Sequence, residues 1–534
     1  MTEDQTIIFR NASVLDGTAR DAFTADVRID GDSITGVRPG IVVENAETYD
    51  LGGLALAPGF IDMHSHSDIQ ILANPDHEAK LSQGVTLEVL GQDGLSYAPV
   101  SDEVLRALRK RIRGWNDDPT DLDWSWRSVA DYLDRLDDDT AVNTAYLVPH
   151  GTLRMLVMGD AARAATPTEV AQMAALLRQG LEDGAVGLSA GLTYVPGMYS
   201  TTTAELVELC RVVAEHGGYF CPHHRNYGPE ALEAYAECID IAKHSGVALH
   251  FAHAHLSFDV NRGNLPELLR LFDDAIADGV DLSFDSYPYL AAMTTLSSQL
   301  PGWAQRGGIG EQIERLRDPG SREEIITALD VTGSDGHQGL TINWSNIHLS
   351  STPNAPEYEW VTAESLGAAA AKTGIRPAEL CLDILVATEL GASCVMFVGI
   401  EEHVRALMQH PRHMVGSDGI LVGDRPHPRS WGTFPRVLHT YVREERVLSL
   451  PEAIRHMTHS PAQRLRLRDR GKIAPGYKAD IVIFDPAAVS AEATYVSPRR
   501  PATGIEHVLV NGRFALKNGK VTGIRTGRVL RGSQ

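Results

Sequence analysis

Two histidines separated by a single residue follow an apolar stretch and have the spacing of metal ligands. The apolar run 54–61 leads into Asp62, and His64, Ser65 and His66 follow. In an extended segment alternate side chains point the same way, so the imidazoles of His64 and His66 project to one side. This His-Ser-His pair predicts half of a metal site.

Two further histidines and two carboxylates follow strand-like segments in the same manner. His223 and His253 each come directly after a predicted strand, and they are 30 residues apart, about one βα unit of a barrel. Asp418 directly follows the strand-like segment 414–417, and Asp93 follows an apolar run. Side chains that follow the parallel strands of a barrel emerge on one face, so we predict a pocket lined by His and Asp that holds a metal.

Alternating helix and strand signals in the middle of the chain describe the elements that position these side chains. Thr166 to Glu169 is a capping box with a proline at the first helical position, and Gly184 ends that helix. Repeated βα units of about 30 residues imply a parallel sheet and an α/β fold. We predict a (β/α)8 TIM-like barrel. A doubly wound open sheet is the alternative, and the absence of a GxGxxG loop after an early strand disfavours it. The predicted strands are 185–189, 219–221, 247–252 and 280–284, and the predicted helices are 203–216, 230–245 and 265–278.

The two ends of the chain have a different character from the middle. Short strands separated by turns are predicted at both ends, including a hairpin at Asn511-Gly512. We predict one small β-sandwich domain built from both termini, residues 1–57 with 473–534, beside a barrel domain at 58–472. Residues at about 291–346 break the βα rhythm and are a candidate insertion over the barrel mouth.

Composition limits the classes of partner and the compartment. The 534 residues are 43% apolar and 22% charged, which is typical of a globular protein with a substantial core. The net charge of −22 argues against nucleic acid and anionic membranes, so we expect a small-molecule partner; a homo-oligomer is compatible with this composition. Five unpaired cysteines, an N-terminus without a basic and then apolar stretch, and no apolar run of about 18 residues favour a cytoplasmic protein.

Several longer motifs resemble those of a known family. The chain is similar to the amidohydrolase superfamily and, within it, to the N-acyl-D-amino-acid deacylase (D-aminoacylase) family. The resemblance runs nearly end to end. The motifs that carry it are PGFIDMHSH at 58–66, GLSAGLTY at 187–194, His223 with Arg225, VGSDG at 415–419, HPR at 427–429, WGTFPR at 431–436 and KADIVIFD at 478–485.

This resemblance implies a binuclear metal centre that hydrolyses an amide. His64 and His66 are expected to bind one metal and His223 and His253 the other, with Asp418 as the catalytic carboxylate. Zn²⁺ is the expected ion, because it suits imidazole and carboxylate ligands and an open position can hold a water of pKa about 7. Asp418 is expected to take the water's proton and deliver it to the leaving nitrogen. The expected reaction converts an N-acyl-D-amino acid into a carboxylate and a free D-amino acid.

The resemblance also assigns residues to the substrate, and two positions depart from the family. Arg429 occupies the position from which the family's arginine holds the substrate carboxylate, and Tyr194 and Tyr289 resemble the tyrosines that assist it. Where this chain has Asp93, the family usually has a cysteine whose thiolate bridges the metals. Where it has His255, the family commonly has a lysine near the substrate. We therefore predict Asp93 as a metal ligand and the other four as substrate-binding residues.

Two other functions compete with this one. A cyclic amide hydrolase similar to dihydroorotases and hydantoinases would use the same metal chemistry on a ring. A non-catalytic relative would keep the barrel without the metal. The presence of four histidines together with Asp418 argues against the second of these.

Overall fold

A computed structural model describes residues 6–200 and 202–532 of the chain. Residues 1–5, part of the N-terminal stretch used above to predict the compartment, lie outside the described residues. In the described part the strands are β1 (Thr6–Val14), β2 (Phe23–Asp30), β3 (Ser33–Arg38), β4 (Glu47–Asp50), β5 (Ala55–Pro58), β6 (Phe60–Asp62), β7 (Val85–Leu90), β8 (Asn143–Pro149), β9 (Gly187–Gly191), β10 (Tyr219–His223), β11 (Ala248–Phe251), β12 (Leu282–Ser286), β13 (Ala291–Thr295), β14 (Ile347–Ser351), β15 (Ser393–Phe397), β16 (His413–Val415), β17 (Ile481–Phe484), β18 (Ile505–Val510), β19 (Arg513–Lys517) and β20 (Lys520–Val521). The α-helices are α1 (Gln70–Ala73), α2 (Glu78–Leu81), α3 (Asp102–Arg111), α4 (Arg113–Asn116), α5 (Val129–Asp138), α6 (His150–Met158), α7 (Pro167–Glu182), α8 (Thr203–Glu215), α9 (Ala231–Ser245), α10 (Leu265–Ala277), α11 (Ile309–Arg317), α12 (Pro319–Thr327), α13 (Leu366–Thr373), α14 (Pro377–Ala387), α15 (Glu401–Gln409), α16 (Arg429–Arg436), α17 (Leu450–Met457) and α18 (His459–Arg464).

Eight parallel strands form the central barrel. Strands β6 to β12 and then β16 are neighbours in chain order, and every adjacent pair is parallel. Backbone hydrogen bonds join the first strand to the last: Met63 N–H donates to Val415 O at 3.3 Å, and Asp418 N–H donates to His64 O at 2.8 Å. The predicted (β/α)8 barrel is confirmed, and the open-sheet alternative is wrong.

The helices of the barrel begin and end where the sequence signals place them. Thr166 accepts a hydrogen bond from Glu169 N–H, and the Glu169 carboxylate accepts one from Thr166 N–H, so the predicted capping box starts α7. Two predicted strands are observed two residues later: 185–189 is β9 at 187–191, and 280–284 is β12 at 282–286. The buried polar residues of the site lie at these strand ends. A prediction from apolar runs alone therefore ends such a strand too early.

Both ends of the chain build one nine-stranded sheet. Its order is β20-β19-β18-β17-β5-β1-β2-β3, and β4 pairs with β1. Apolar side chains from both ends, such as Phe9, Val27 and Ile481, pack in one cluster. The run 54–61, read above as one apolar stretch, divides between two sheets: β5 pairs with β17 in the terminal sheet, and β6 belongs to the barrel. Gly59 between them has no room for a side chain, because a Cβ there would lie 2.2 Å from Thr86 Oγ1.

The inserted segment is longer than the sequence indicates. Strands β13, β14 and β15 form a separate antiparallel sheet with β15 in the centre, and α11 to α14 pack with it around a core of their own. The insertion therefore runs from 291 to 397 and does not end near 346. Its central strand is about 100 residues from its partner β13 along the chain, and local patterns do not report such long-range pairing.

The cysteines of the described chain form no disulfide, and its helices are short. Cys210, Cys221, Cys238, Cys381 and Cys394 are free and buried. The longest helix, α7, has 16 residues. In the part of the chain that the structure describes, no helix combines the length and the apolar character needed to cross a lipid bilayer.

Candidate metal centre

The candidate ligands converge at the carboxyl-terminal end of the barrel. They follow or end five different strands, with His64 and His66 sharing one, and each is buried, with at most 8% of its surface exposed. They come from loops after β6, β7, β11 and β16 and from the last residue of β10. This common face is the one on which barrel enzymes carry their chemistry. The six residues are His64, His66, Asp93, His223, His253 and Asp418.

Unusual backbone conformations aim three of these side chains. Asp93, His253 and Asp418 have φ angles of 54°, 30° and 49°, in the left-handed region that non-glycine residues rarely adopt. The strain at His253 is offset by a hydrogen bond from its N–H to Asp285 Oδ1 at 3.0 Å. Asp418 is held by its backbone bond to His64. The loops thus leave the strand path and turn their ligand atoms inward.

The first group of metal-donor atoms contains His64, His66, Asp93 and Asp418. His66 Nε2 lies 3.1 Å from Asp418 Oδ1 and 3.5 Å from Asp93 Oδ2. His64 Nε2 lies 3.6 Å from Asp93 Oδ1 and 3.7 Å from Asp418 Oδ1. One ligand atom from each of the four residues lies within 4.8 Å of the others, a spacing that one cation can bridge.

The second group contains Asp93, His223 and His253. Asp93 Oδ2 is 3.4 Å from His223 Nδ1 and 3.6 Å from His253 Nε2. Hydroxyl groups contact the other ring nitrogen of each of these histidines. Thr193 Oγ1 lies 2.8 Å from His223 Nε2, and Tyr227 OH lies 3.1 Å from His253 Nδ1. Such outer contacts fix the ring orientation of a metal ligand. Asp93 is the residue that the two groups share.

The electrostatics of the cluster favour a bound cation. Both ring nitrogens of His64 and Oδ1 of Asp93 are buried without a hydrogen-bond partner among the described residues, which costs free energy unless a ligand satisfies them. Burial opposes protonation of His66, but hydrogen bonds to Asp418 and Asp93 outweigh it and raise its pKa to about 9. Burial likewise opposes ionisation of Asp93 and Asp418, yet nearby positive charge holds the pKa of both well below the ordinary value. Imidazole and carboxylate donors fit Zn²⁺ and similar divalent ions.

The cluster lies in a cleft of about 750 Å³, a volume that includes the part open to solvent. Tyr194 and His255, both predicted to face the substrate, line this cleft. The Tyr194 ring is 4.8 Å from the ring of His223, and its hydroxyl is 3.0 Å from Thr294 Oγ1. The His255 ring is 4.5 Å from the ring of Tyr287. Aromatic rings and the insertion thus enclose the space above the metal donors.

Arg429, at the start of α16, is fully buried beside Asp418. Its Nη1 forms an ion pair with Asp418 Oδ2 at 2.8 Å, and its Nη2 donates to Met293 O at 3.3 Å. Its guanidinium lies over the ring of Tyr287, with the carbon 4.5 Å from the ring centre. Nε of Arg429 has no hydrogen-bond partner within the described residues. The guanidinium therefore contacts both the candidate base and an aromatic wall of the cleft.

Tyr289, predicted to assist the substrate, does not line the cleft. Its ring packs at 5.1 Å from His427, and the Arg436 guanidinium lies 4.9 Å from its centre. Tyr289 N–H donates to Tyr287 O at 3.0 Å, and this three-residue turn breaks the alternation that would have placed both tyrosines on one side. Tyr287 lines the cleft in its place.

Several site residues were missed in the sequence. Asp285 directly follows the predicted strand 280–284, so the reasoning that identified Asp418, a carboxylate directly after a predicted strand, could have identified it too. It accepts the His253 N–H, and its Oδ2 is 3.1 Å from His250 Nε2. Tyr227 and Thr193 lie in loops near the motif histidines and have no spacing signal. Trp115, whose ring is 4.8 Å from that of His66, comes from α4, far from any motif.

Comparison with known proteins identifies relatives over nearly the whole chain. The model of the amidohydrolase family matches residues 47–515. The D-aminoacylase of Alcaligenes xylosoxydans xylosoxydans is 33% identical over 98% of this chain and 97% of its own length. The N-acyl-D-glutamate deacylase of the same organism is 34% identical over 99% and 97%. The crystal structure of an N-acyl-D-glutamate deacylase from Bordetella bronchiseptica, complexed with zinc and a phosphonate inhibitor that mimics the tetrahedral intermediate, superimposes with a TM-score of 0.82, 31% identity and coverage of 99% and 100%.

Proposed function

Since this chain belongs to the amidohydrolase family, we propose that it hydrolyses the amide bond of N-acyl-D-amino acids and releases a carboxylate and a free D-amino acid. It is a hydrolase of amide C–N bonds. The observation that carries the proposal is the convergence of four imidazoles and two carboxylates at one end of the barrel. Two relatives that match it over nearly their whole length are named as a D-aminoacylase and an N-acyl-D-glutamate deacylase.

In this proposal the four histidines and Asp93 hold Zn²⁺, one or two ions. His64 and His66 belong to one site, His223 and His253 to the other, and Asp93 to both. When bound, the ion supplies an activated water and polarises the amide carbonyl. The outer contacts of His223 and His253 with hydroxyls keep their inner nitrogens directed at Asp93.

Asp418 is the proposed general base and acid. Its low pKa keeps it ionised near neutral pH, so it can accept a proton from the attacking water. The same carboxyl then donates that proton to the leaving nitrogen. Its Oδ2 contacts Arg429 and its Oδ1 faces His66, so both oxygens are fixed in position.

Arg429 is the proposed partner of the substrate carboxylate. A guanidinium suits a carboxylate because it offers several donors in a planar fork. The unpartnered Nε leaves donor capacity while Nη1 orients Asp418. Tyr194 and His255, which line the cleft, are proposed to contact the substrate as well, and Tyr287 takes the part predicted for Tyr289.

The test is hydrolysis by purified, zinc-loaded protein. We expect amine release from N-acetyl-D-methionine and little from N-acetyl-L-methionine. Dihydroorotate and hydantoin serve as cyclic amides, and faster ring opening than deacylation would replace this proposal with the cyclic-amide alternative. No amine release from any N-acyl-D-amino acid would refute it.

We also propose a cytoplasmic location and a small molecule as the only partner besides other copies of the chain. Five free, buried cysteines fit a reducing compartment. A homo-oligomer would appear as a multiple of the 58.0 kDa chain mass in light scattering coupled to gel filtration. Elution at the monomer mass would contradict that assembly.

A further inference from the structure

We propose that the enzyme prefers N-acyl-D-amino acids with an uncharged, largely apolar side chain over those whose side chain carries a carboxylate. This inference rests on the proposed deacylase function and specifies its substrate class. It is based on the distribution of charge around the cleft. Charged groups lie at the end that carries the metal donors, and uncharged side chains line the outer end.

The outer part of the cleft is apolar and neutral. Trp115 and Ile420 line it from the barrel side, Met293 and Met396 line it from the insertion, and Val398 follows directly after the insertion. Trp115 is held by edge contact with Tyr194 at 5.1 Å. Such a wall favours an apolar group through the area that it removes from water.

Two amide side chains of the outer wall, Gln338 and Gln299, have hydrogen-bond partners within the protein. Gln338 Oε1 accepts the Tyr227 N–H at 2.8 Å. Gln299 Oε1 lies 2.6 Å from His337 Nδ1, and its Nε2 donates to Ser298 Oγ at 2.9 Å. These contacts fix the two amides as part of the wall. Neither side chain carries a positive charge that could pair with a carboxylate.

Away from the metal ligands, the cation next to the described wall of the cleft is Arg429, which contacts the lining residues Tyr287 and Asp418. Among the described residues that line the cleft there is no lysine or arginine. Arg429 lies behind the Tyr287 ring, and His255 packs on that same ring, so both mark a single subsite at the metal end. We assign this subsite to the α-carboxylate, which every N-acyl-amino acid carries.

Nearby arginines outside the lining are engaged elsewhere. Arg225 Nε bonds to Glu237 Oε2 at 2.8 Å, and Arg111 bonds to Asp160 Oδ1 at 3.0 Å and to Val195 O. An acidic substrate side chain would therefore enter an apolar pocket without a counter-charge. Because an unpaired buried carboxylate is strongly disfavoured, we expect kcat/KM to fall by at least about 100-fold.

The test compares kcat/KM for the N-acetyl derivatives of D-methionine, D-leucine and D-phenylalanine with those of D-glutamate and D-aspartate. We expect the three neutral substrates to exceed both acidic ones by at least about 100-fold. An acidic substrate that equals or exceeds the neutral ones would overturn the inference and leave the deacylase proposal intact. Failure of all five substrates would instead refute the deacylase proposal.

Met396→Lys introduces the missing charge. Met396 lies on β15, is half-buried, and is unbranched like lysine, so the substitution adds a cation with little change of shape. We expect the ratio of kcat/KM for N-acetyl-D-glutamate over N-acetyl-D-methionine to rise at least about tenfold, the change for one new ion pair. Met396→Gln is the neutral control of similar length and should leave the ratio within about twofold. Equal ratios in the two variants, with activity on N-acetyl-D-methionine retained, would show that this wall does not face the substrate side chain.

Discussion

Two buried charged clusters lie side by side in the barrel and differ in how their charges are satisfied. The inner cluster consists of Asp62, His77, Lys80, Glu88 and Ser417. Lys80 Nζ lies 2.6 Å from Asp62 Oδ2, 3.0 Å from Ser417 Oγ and 3.4 Å from Glu88 Oε2. His77 Nε2 lies 2.8 Å from Glu88 Oε1. Each charge in this cluster has an opposite partner.

The metal-facing cluster, the six candidate ligands described above, is equally buried and incompletely paired. In the part of the chain that the structure describes, neither ring nitrogen of His64 has a hydrogen-bond partner, and Asp93 Oδ1 has none. The two clusters share backbone, because Asp62 and Ser417 of the inner cluster lie next to the loops that carry His64 and Asp418. The paired charges of the inner cluster thus hold these loops in position. The unpaired donor atoms of the metal-facing cluster can bind a ligand. We therefore propose that the inner cluster stabilises the fold and that the metal-facing cluster binds the metal.

Asp418→Asn should have the largest effect on catalysis and little effect on folding. Because an amide cannot accept the water's proton, we expect kcat to fall by about 10³-fold or more. Asp424→Asn, an exposed carboxylate six residues further on, is the matched control and should keep wild-type kcat. Steady-state kinetics and thermal unfolding check this pair, and an Asp418→Asn enzyme with nearly full kcat would remove the proposed base.

Lys80→Met should have the opposite profile, with its largest effect on stability. Removing the cation leaves Asp62 and Glu88 buried without a counter-charge, so we expect the free energy of unfolding to fall by about 3–5 kcal/mol. Lys243→Met is the control, because Lys243 pairs with Asp278 at the surface, where an ion pair contributes about 0–1 kcal/mol. Denaturant titration measures both, and equal losses would mean that the inner cluster is not a scaffold.

Acid should weaken the inner cluster through Glu88. Burial opposes ionisation of Glu88, but His77 and Lys80 outweigh it and hold its pKa at about 2, below the ordinary 4.5. Since the folded-state pKa is depressed, the stabilisation is present above about pH 4.5 and is lost as the pH falls through about 2, on the order of 3 kcal/mol in total. The free energy of unfolding, measured against pH, should fall less steeply in acid for Glu88→Gln than for the wild-type protein. The same slope in both proteins would contradict this role.

Asp93→Asn should have the smallest effect on the stability of the metal-free protein. Asparagine tolerates the left-handed conformation at this position, where φ is 54°. Asp418 remains as a partner for His66, so in chelator we expect the free energy of unfolding to change by less than about 1 kcal/mol. Zinc affinity should nevertheless fall by at least about tenfold, because both donor groups lose a ligand. Calorimetric titration with zinc checks this, and unchanged affinity would remove Asp93 from the site.

The strand-end rule predicted the convergence of the metal-facing cluster because barrel topology forces those positions onto one face. His223 and His253 needed only their spacing of one βα unit. The same reasoning did not predict the role of Lys80, because a lysine on a short helix is usually a surface residue. Its partners lie on other strands and have no sequence pattern in common with it. Tyr289 lies away from the cleft because a tight turn changes the direction of its side chain, and the sequence pattern does not report that turn. The end of the insertion depended on strand pairing over about 100 residues, which no local pattern encodes.

Metal content measured together with activity tests the difference between the two clusters most directly. The protein is dialysed against chelator, then titrated with Zn²⁺ while bound metal and hydrolysis of N-acetyl-D-methionine are followed in the same samples. The unsatisfied donors predict tight binding of about one or two ions per chain, with activity absent in chelator and restored as the metal binds. Less than about 0.1 bound ion per chain, or full activity in chelator, would contradict the assignment of the metal-facing cluster.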